Sequence, residues 1–266
     1  MKDPIITLLT DFGTEDHYVA SMKGVILKIN SRCKVVDITH QVVPQNIEEA
    51  AFLLANAYSY FPEGTVHLAV VDPEVGGARN PLLIVTDRFF FVGPDNGLFS
   101  YALKREKVRG AYCLTERRFF LPEVSSTFHG RDIFAPVAGH LTLGVPPKAF
   151  GQKIHSWKTF DFPSPIIMGK KMVGRVIHID SFGNLITNIE RKQLDLFVGD
   201  QPFHILAGKK RINGVRRGYW EVKRGEILAL IGSGGYLEIS LREGNAQKML
   251  KAKKGDGIEI HFDRRR

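Results

Sequence analysis

Asn46-Ile-Glu-Glu-Ala-Ala-Phe-Leu-Leu-Ala-Asn-Ala-Tyr-Ser-Tyr-Phe61, then Pro62-Glu-Gly64, then Thr65-Val-His-Leu-Ala-Val-Val-Asp72 spells a helix, a stop and a buried strand in succession. Asn46 suits a helix start, and Glu49 stands three positions on, the spacing of a capping box. Ile47, Ala50, Ala51, Leu54, Tyr58 and Phe61 fall on one face at the helical period. Pro62 and Gly64 then end the run. Strand-like runs of the same kind as 65–71 occupy residues 5–10, 34–38, 81–85 and 89–92, each bounded by Gly, Pro or Asp. Strand and helix in alternation predict a Rossmann-like α/β domain with its ligand at the carboxyl ends of the strands.

Outward from this core the pattern changes near residue 155. His155-Ser-Trp-Lys-Thr-Phe-Asp-Phe-Pro-Ser-Pro165 has no periodicity, and its two prolines oppose helix. The boundaries that follow are an N-terminal α/β domain over residues 1–154, a linker over 155–168 and a smaller C-terminal domain over 169–266. In the last, short strand-like runs are separated by recurrent glycines, among them Gly174, Gly208 and Gly214, and only residues 245–252 read as helical. That is the pattern of a small antiparallel barrel or sandwich.

The chain has 266 residues, with 44% hydrophobic, 24% charged and 10% aromatic, which excludes a disulfide-stapled peptide and a disordered chain. No apolar run nears the roughly 20 residues of a membrane span. Met1-Lys-Asp-Pro puts an acid at position 3, and with a polar break after ten residues the start lacks the basic segment and the cleavage site of a signal peptide, so the expectation is a cytoplasmic protein with no membrane partner. Two cysteines, Cys33 and Cys113, cannot make a disulfide framework or a four-thiolate zinc site. The net charge of +9 is uneven: residues 1–150 hold 15 Lys+Arg against 16 Asp+Glu, and residues 151–266 hold 22 against 12. Such asymmetry can mark a nucleic-acid surface, but no aromatics alternate with the bases as a stacking platform requires. A solvated basic face is the plainer reading.

Four polar clusters stand at expected strand or helix ends. In Leu8-Leu-Thr-Asp11-Phe-Gly13 the acid leaves a strand before a glycine; Asp11 suits a pair of ribose hydroxyls, a metal or a helix N-cap. Ala69-Val-Val-Asp72-Pro-Glu-Val-Gly-Gly-Ala-Arg79 delivers an acid into a loop that returns an arginine, able to close as an ion pair with fixed donors, structural or catalytic. Ser125-Ser-Thr-Phe-His129-Gly-Arg131-Asp132 precedes an apolar helical stretch over 133–143. His129 at that helix start is expected to stay neutral because the backbone dipole opposes its protonation, and serves as base, as partner for water or as a structural group. His178-Ile-Asp180-Ser-Phe-Gly-Asn184-Leu-Ile-Thr-Asn188 sets an acid and amides around a glycine turn, which turn chemistry alone also explains. Gly232-Ser-Gly-Gly235 lacks dinucleotide-binding spacing, and no P-loop, zincin or nucleophile-elbow motif occurs.

Together with Asp37-Ile-Thr-His40 and Gly93-Pro-Asp-Asn-Gly97, these clusters make six motifs in order over nearly the whole chain, and the sequence resembles the S-adenosylmethionine (SAM) hydroxide adenosyltransferases, hydrolase relatives of fluorinase and chlorinase. The resemblance implies an α/β domain, a small C-terminal β-barrel and a homotrimer with substrate at subunit interfaces. It implies that Asp72, Arg79 and His129 activate water for attack on the ribose 5′ carbon of SAM, releasing adenosine and L-methionine without metal or cofactor. Asp11 would bind the ribose hydroxyls, Asp180 and Ser233 the methionine amino and carboxylate groups, and Asn184 the adenine, with Asn245 and Ala246 on the adenine side. The chain departs from the halogenases where they carry Tyr, Thr and Ser, having Asp72, Val75 and Gly130, and it has Gly234 where they have Arg. Two alternatives stand beside the hydrolase: a SAM-dependent halogenase of the same fold, and a nucleoside- or RNA-binding module using the basic second half.

Overall fold

The computed structural model describes residues 3–263, which divide into two compact units, up to Asp161 and from Phe162 onward. The first unit is built on a seven-stranded sheet. Its strands are β1 (Ile5–Thr10), β2 (Lys34–Thr39), β3 (Val66–Val70), β4 (Pro81–Thr86), β5 (Phe90–Pro94), β6 (Val108–Leu114) and β7 (Gly151–Ile154). Its helices are α1 (Tyr18–Ile29), α2 (Ile47–Ala57), α3 (Ser100–Leu103) and α4 (Ala135–Thr142). The sheet order is β2-β1-β3-β5-β4-β6-β7. β2, β1, β3 and β5 run parallel, whereas β4 is antiparallel to both β5 and β6, and β7 is antiparallel to β6.

The period of two along the strands sorts side chains into two cores. Leu8, Leu68 and Val70 point to one face, with Met22, Ile26, Phe134 and Val137. Leu9, Ala69 and Val71 point to the other, with Ala50, Leu54, Tyr58 and Phe91. The result is an α/β/α sandwich whose parallel strands end in the loops after Thr10 and Val70. Helix α2 starts as the sequence predicts, with the Asn46 carboxamide oxygen accepting from Glu49 N at 3.1 Å. The Glu49 carboxylate reaches back to Val43 N at 3.3 Å instead of Asn46 N, because the latter already donates to Val43 O.

The strand ladders of the second unit are all antiparallel. Its strands are β8 (Ile166–Met168), β9 (Lys171–Ile179), β10 (Leu185–Glu190), β11 (Phe203–Ala207), β12 (Lys210–Asn213), β13 (Ile227–Ile231), β14 (Tyr236–Leu241) and β15 (Gly257–Phe262). They are ordered β12-β11-β15-β9-β10-β14-β13, with β8 paired to β9. Arg216 N donates to Ala229 O at 2.7 Å beside β13, so the sheet curls into a nearly closed barrel. Met172, Val176, Ile189, Ile205, Ile239 and Ile260 fill it.

Two helices belong to this unit, α5 (Arg191–Val198) and α6 (Ala246–Leu250). The expectation of helix at 245–252 alone overlooks α5, whose capping box between Glu190 and Gln193 and terminal Gly199 were readable. Its buried residues are Leu194 and Val198, one turn apart, with Phe197 packed beside them, a face too short to stand out as periodicity.

Of the stretch read as a linker, residues 158–160 are tied to the first unit: Lys158 N donates to Asp95 at 2.7 Å and Phe160 N to Ser100 Oγ at 3.0 Å. Residues 166–168 form β8 in the second unit. No helix among the described residues is long and apolar enough to cross a membrane.

Candidate active site

Adjacent parallel strands β1 and β3, paired with Thr10 beside Val70, carry Asp11 and Asp72 just past their carboxyl ends. Asp11 lies well before α1, whose N-cap is His17, so it is not that helix's cap. Its Oδ2 accepts from Gln45 N at 2.8 Å, which pins the loop before α2 and leaves Oδ1 for a ligand. The motif around His40 braces the same loop: Nδ1 pairs with Thr10 Oγ1 at 2.8 Å, and the His40 carbonyl accepts from Gly13 N at 2.8 Å. Asn96, in the motif after β5, donates its amide to Val71 O at 2.8 Å and so fixes the backbone that delivers Asp72. Neither role is legible in the sequence, since a bracing bond to a distant backbone has no sequence signature.

The loop after Asp72 folds Arg79 back onto it. Arg79 Nε donates to both carboxylate oxygens at 3.0 Å and Nη2 to Oδ2 at 2.5 Å, with the two side chains 1% and 4% exposed. The guanidinium lies 5.3 Å from the Phe134 ring centre, which closes off its face. Its Nη2 also contacts His129 Nδ1 at 2.8 Å. An arginine only donates, so Nδ1 accepts and the neutral ring carries its proton on Nε2. His129 itself caps a single π-helical turn, Gly130–Phe134, that runs into α4. Burial first, and the Arg79 charge second, push its pKa below the usual histidine value, outweighing the opposite pull of Asp72 and Asp132. The direction is the one expected for His129 at a helix start, and here burial and a guanidinium produce it.

In the second unit Asp180 and Asn184 form a self-contained loop between β9 and β10. Asp180 Oδ1 accepts from Phe182 N and Asn184 N at 3.0 and 2.8 Å, and Oδ2 from Asn184 Nδ2 at 2.9 Å. Gly183 lies against the Asn245 carboxamide, where a Cβ would stand 2.2 Å away, and its carbonyl accepts from Gln247 N at 2.9 Å. Asn245 caps α6 through Lys248 N at 2.7 Å, so it and buried Ala246 shape the floor of the loop. Ser233 lies in the exposed turn between β13 and β14. Because Leu185 opposes Ile239 while Glu190 opposes Tyr236, that turn and the Asp180 loop sit at opposite ends of the β10–β14 pairing.

Residues 6–151 match the SAM hydroxide adenosyltransferase N-terminal domain, and residues 174–259 match the C-terminal domain of the same family. The chain belongs to the SAM hydroxide adenosyltransferase family. A Thermus thermophilus relative named (R)-S-adenosyl-L-methionine hydrolase is 39% identical, with 96% of this chain and 98% of the relative aligned. One of the same name from Methanocaldococcus jannaschii is 38% identical, over 97% of this chain and 96% of the relative. A Thermotoga maritima crystal structure, described as an uncharacterized conserved protein, superposes with a TM-score of 0.90 at 37% identity, covering 96% of this chain and 99% of that one. A fluorinase of Actinoplanes is more distant, 27% identical over 73% of this chain and 74% of its own length. As a SAM hydroxide adenosyltransferase, this chain shows its Asp-Arg-His set already assembled inside one unit.

Proposed function

We propose that this chain hydrolyses S-adenosyl-L-methionine to adenosine and L-methionine by attack of water on the ribose 5′ carbon. The observation that carries the proposal is the donated bond from Arg79 to His129 Nδ1. It leaves Nε2–H to hold a water or hydroxide oxygen, and it opposes protonation of the ring, which would set Nδ1–H against a guanidinium N–H. Neither Arg79 nor His129 is then free to take a proton, and Asp72 holds Arg79 in place through both carboxylate oxygens. With hydroxide as the nucleophile, the O–C5′ bond forms as the C5′–S bond breaks, methionine leaves as a neutral thioether, and no proton remains to be placed. Such a departure needs little acid help and chiefly needs the nucleophile in line at about 3 to 3.5 Å. Loss of charge as hydroxide meets sulfonium favours a water-poor site, and the buried relay is in keeping with one.

Asp11 is assigned to the ribose hydroxyls, Asp180 to the methionine end, and Asn184 to adenine, with Asn245 and Ala246 supporting it; Ser233, at the other end of the β10–β14 pairing from Asp180, is not assigned with it. Asp72 disfavours the halogenase reading, since a halide beside a carboxylate is repelled. We take the substrate to be the (R)-sulfonium form, as in the names of the relatives, a configuration the sequence reading left open. The assembly is proposed as a cytoplasmic homotrimer acting without metal, cofactor or nucleic-acid partner; sedimentation velocity checks the trimer. The decisive experiment incubates the protein with each sulfonium epimer of SAM in halide-free buffer and separates the products. Adenosine and methionine, formed faster from the (R) form, support the reading; intact SAM, or methylthioadenosine as product, overturns it.

A further inference from the structure

His129 does its work only if its ring stays on Arg79, yet the two residues lie in different loops. The contact between those loops is made by an absence. Gly76, in the loop between Asp72 and Arg79, has φ +75°, and a Cβ there would stand 2.1 Å from the carbonyl oxygen of Ser126. Real Cβ atoms do not approach an oxygen so closely, so any side chain at 76 drives the two loops apart. Both of these loops are within the first unit.

The other half of the seat is a buried carboxylate. Asp132 is 0% exposed, and its Oδ2 accepts from Ser125 N at 2.9 Å. Arg131 donates to Asp132 Oδ1 at 2.6 Å and to Oδ2 at 3.2 Å, with its guanidinium 4.9 Å from the Phe128 ring centre. The Asp132 carbonyl accepts from Leu121 N at 2.9 Å, and its own N–H donates to Phe128 O at 3.1 Å. These bonds close residues 125–132 into a ring of chain that carries His129 on it. Its π-helical turn is held by tertiary bonds, and such turns recur at functional sites.

We propose that Gly76 and Asp132 are positioning residues that seat His129 on Arg79: Asp132 closes the chain around the histidine, and Gly76 lets the arginine-bearing loop reach it. The inference rests on the hydrolase reading for its effect on turnover, but the seat itself is measurable without substrate. The charged groups acting on the ring are Arg79, Asp72 and Asp132. When Arg79 withdraws, the ring loses a positive neighbour and part of its burial, so its titration midpoint rises.

The test compares Gly76→Ala with Gly64→Ala, using the His129→Ala spectrum to assign the ring. Gly64 also has a positive φ, +84°, but nothing lies within 4 Å of the added methyl, so Gly64→Ala carries the backbone strain without the collision. The expected results for Gly76→Ala are a higher His129 midpoint by NMR titration and a kcat lower by about tenfold to a hundredfold, with KM for SAM within about twofold. Gly64→Ala keeps both the midpoint and kcat of the parent. An unmoved midpoint in Gly76→Ala overturns the proposal, whatever happens to the rate. A raised midpoint in a protein that hydrolyses no SAM supports the seat and rejects the hydrolase reading. Should Gly76→Ala not fold, Asp132→Asn and Asp132→Ala decide. Both remove the carboxylate charge; the asparagine oxygen still accepts from Ser125 N, though its amide N–H then faces Arg131, so alanine should show the higher His129 midpoint and a kcat lower by about tenfold; equal midpoints in the two overturn the proposal.

Discussion

The two units hold their polar groups in opposite ways. In the first, the side chains of Asp72 and Arg79 are buried and His129 is half-buried; the three span 57 positions of sequence from Asp72 to His129 and are joined through Arg79. In the second, Asp180 and Asn184 stand four positions apart and satisfy each other within one turn, and Ser233 lies exposed in another. The first arrangement exists only once the sheet has formed, whereas the second is nearly complete locally. On the proposed function, chemistry falls on the rigid part and recognition on the turns, as α/β enzymes commonly divide the two.

The largest effect is expected at Arg79, the residue that joins the relay. Arg79→Ala leaves Asp72 buried without its partner, a loss of about 3 to 5 kcal/mol, and lowers kcat by about a thousandfold. Arg79→Lys cannot place two donors on Asp72 and one on His129 at once, so kcat falls there by at least about tenfold. Denaturant titration and steady-state assays read the two effects, and a lysine variant with parental kcat breaks the contrast between the units.

Acid should open the first unit before the second. His67 is fully buried among Tyr58, Phe61, Phe89 and Phe91, and burial pushes its pKa down to about 3. The unfolded chain protonates this ring near pH 6.5 and the folded chain does not. Stability is therefore undiminished above pH 6.5 and is lost as pH falls from there toward 3, by about 3 kcal/mol at pH 4. His204 and His261 of the barrel instead sit at 2.7 Å from the carboxylates of Asp263 and Glu259. Hydrogen exchange between pH 7 and 4 should show the core strands of the first unit losing protection first, and His67→Leu should flatten that loss. Loss of protection in the barrel first would reverse the comparison.

A smaller effect is expected at Asp180. Asp180→Ala should raise KM for SAM by about tenfold, which is about 1.4 kcal/mol, and leave kcat within about threefold. A fall in kcat with KM unchanged would move Asp180 from recognition to chemistry. The smallest is at α5, where Gln193→Ala removes half of a capping box and should cost about 0.5 to 1 kcal/mol in a urea titration, with turnover unaltered.

Local chemistry made much of this protein legible. Strands β1, β2 and β3 follow from short apolar runs bounded by Gly, Pro or Asp, and helix α2 from a face of period 3.6, because burial on a helix face repeats with the backbone geometry. Asp72 and Arg79 could be paired on paper because a short loop keeps them within reach. The sequence alone therefore determined the α/β order, the strand-rich glycine-punctuated second half, the family to which the motifs belong and the one ion pair a loop can close. Tertiary structure decided the rest. It set β4 antiparallel between β5 and β6, because a hairpin and a crossover can leave the same apolar runs. It brought His129 to Arg79 from 50 residues away, chose the proton-bearing nitrogen of the ring, and gave Asn96 and Gly76 their tasks. Those outcomes depend on which atoms meet after folding, and a contact between distant segments leaves no period, cap or spacing in the chain that makes it.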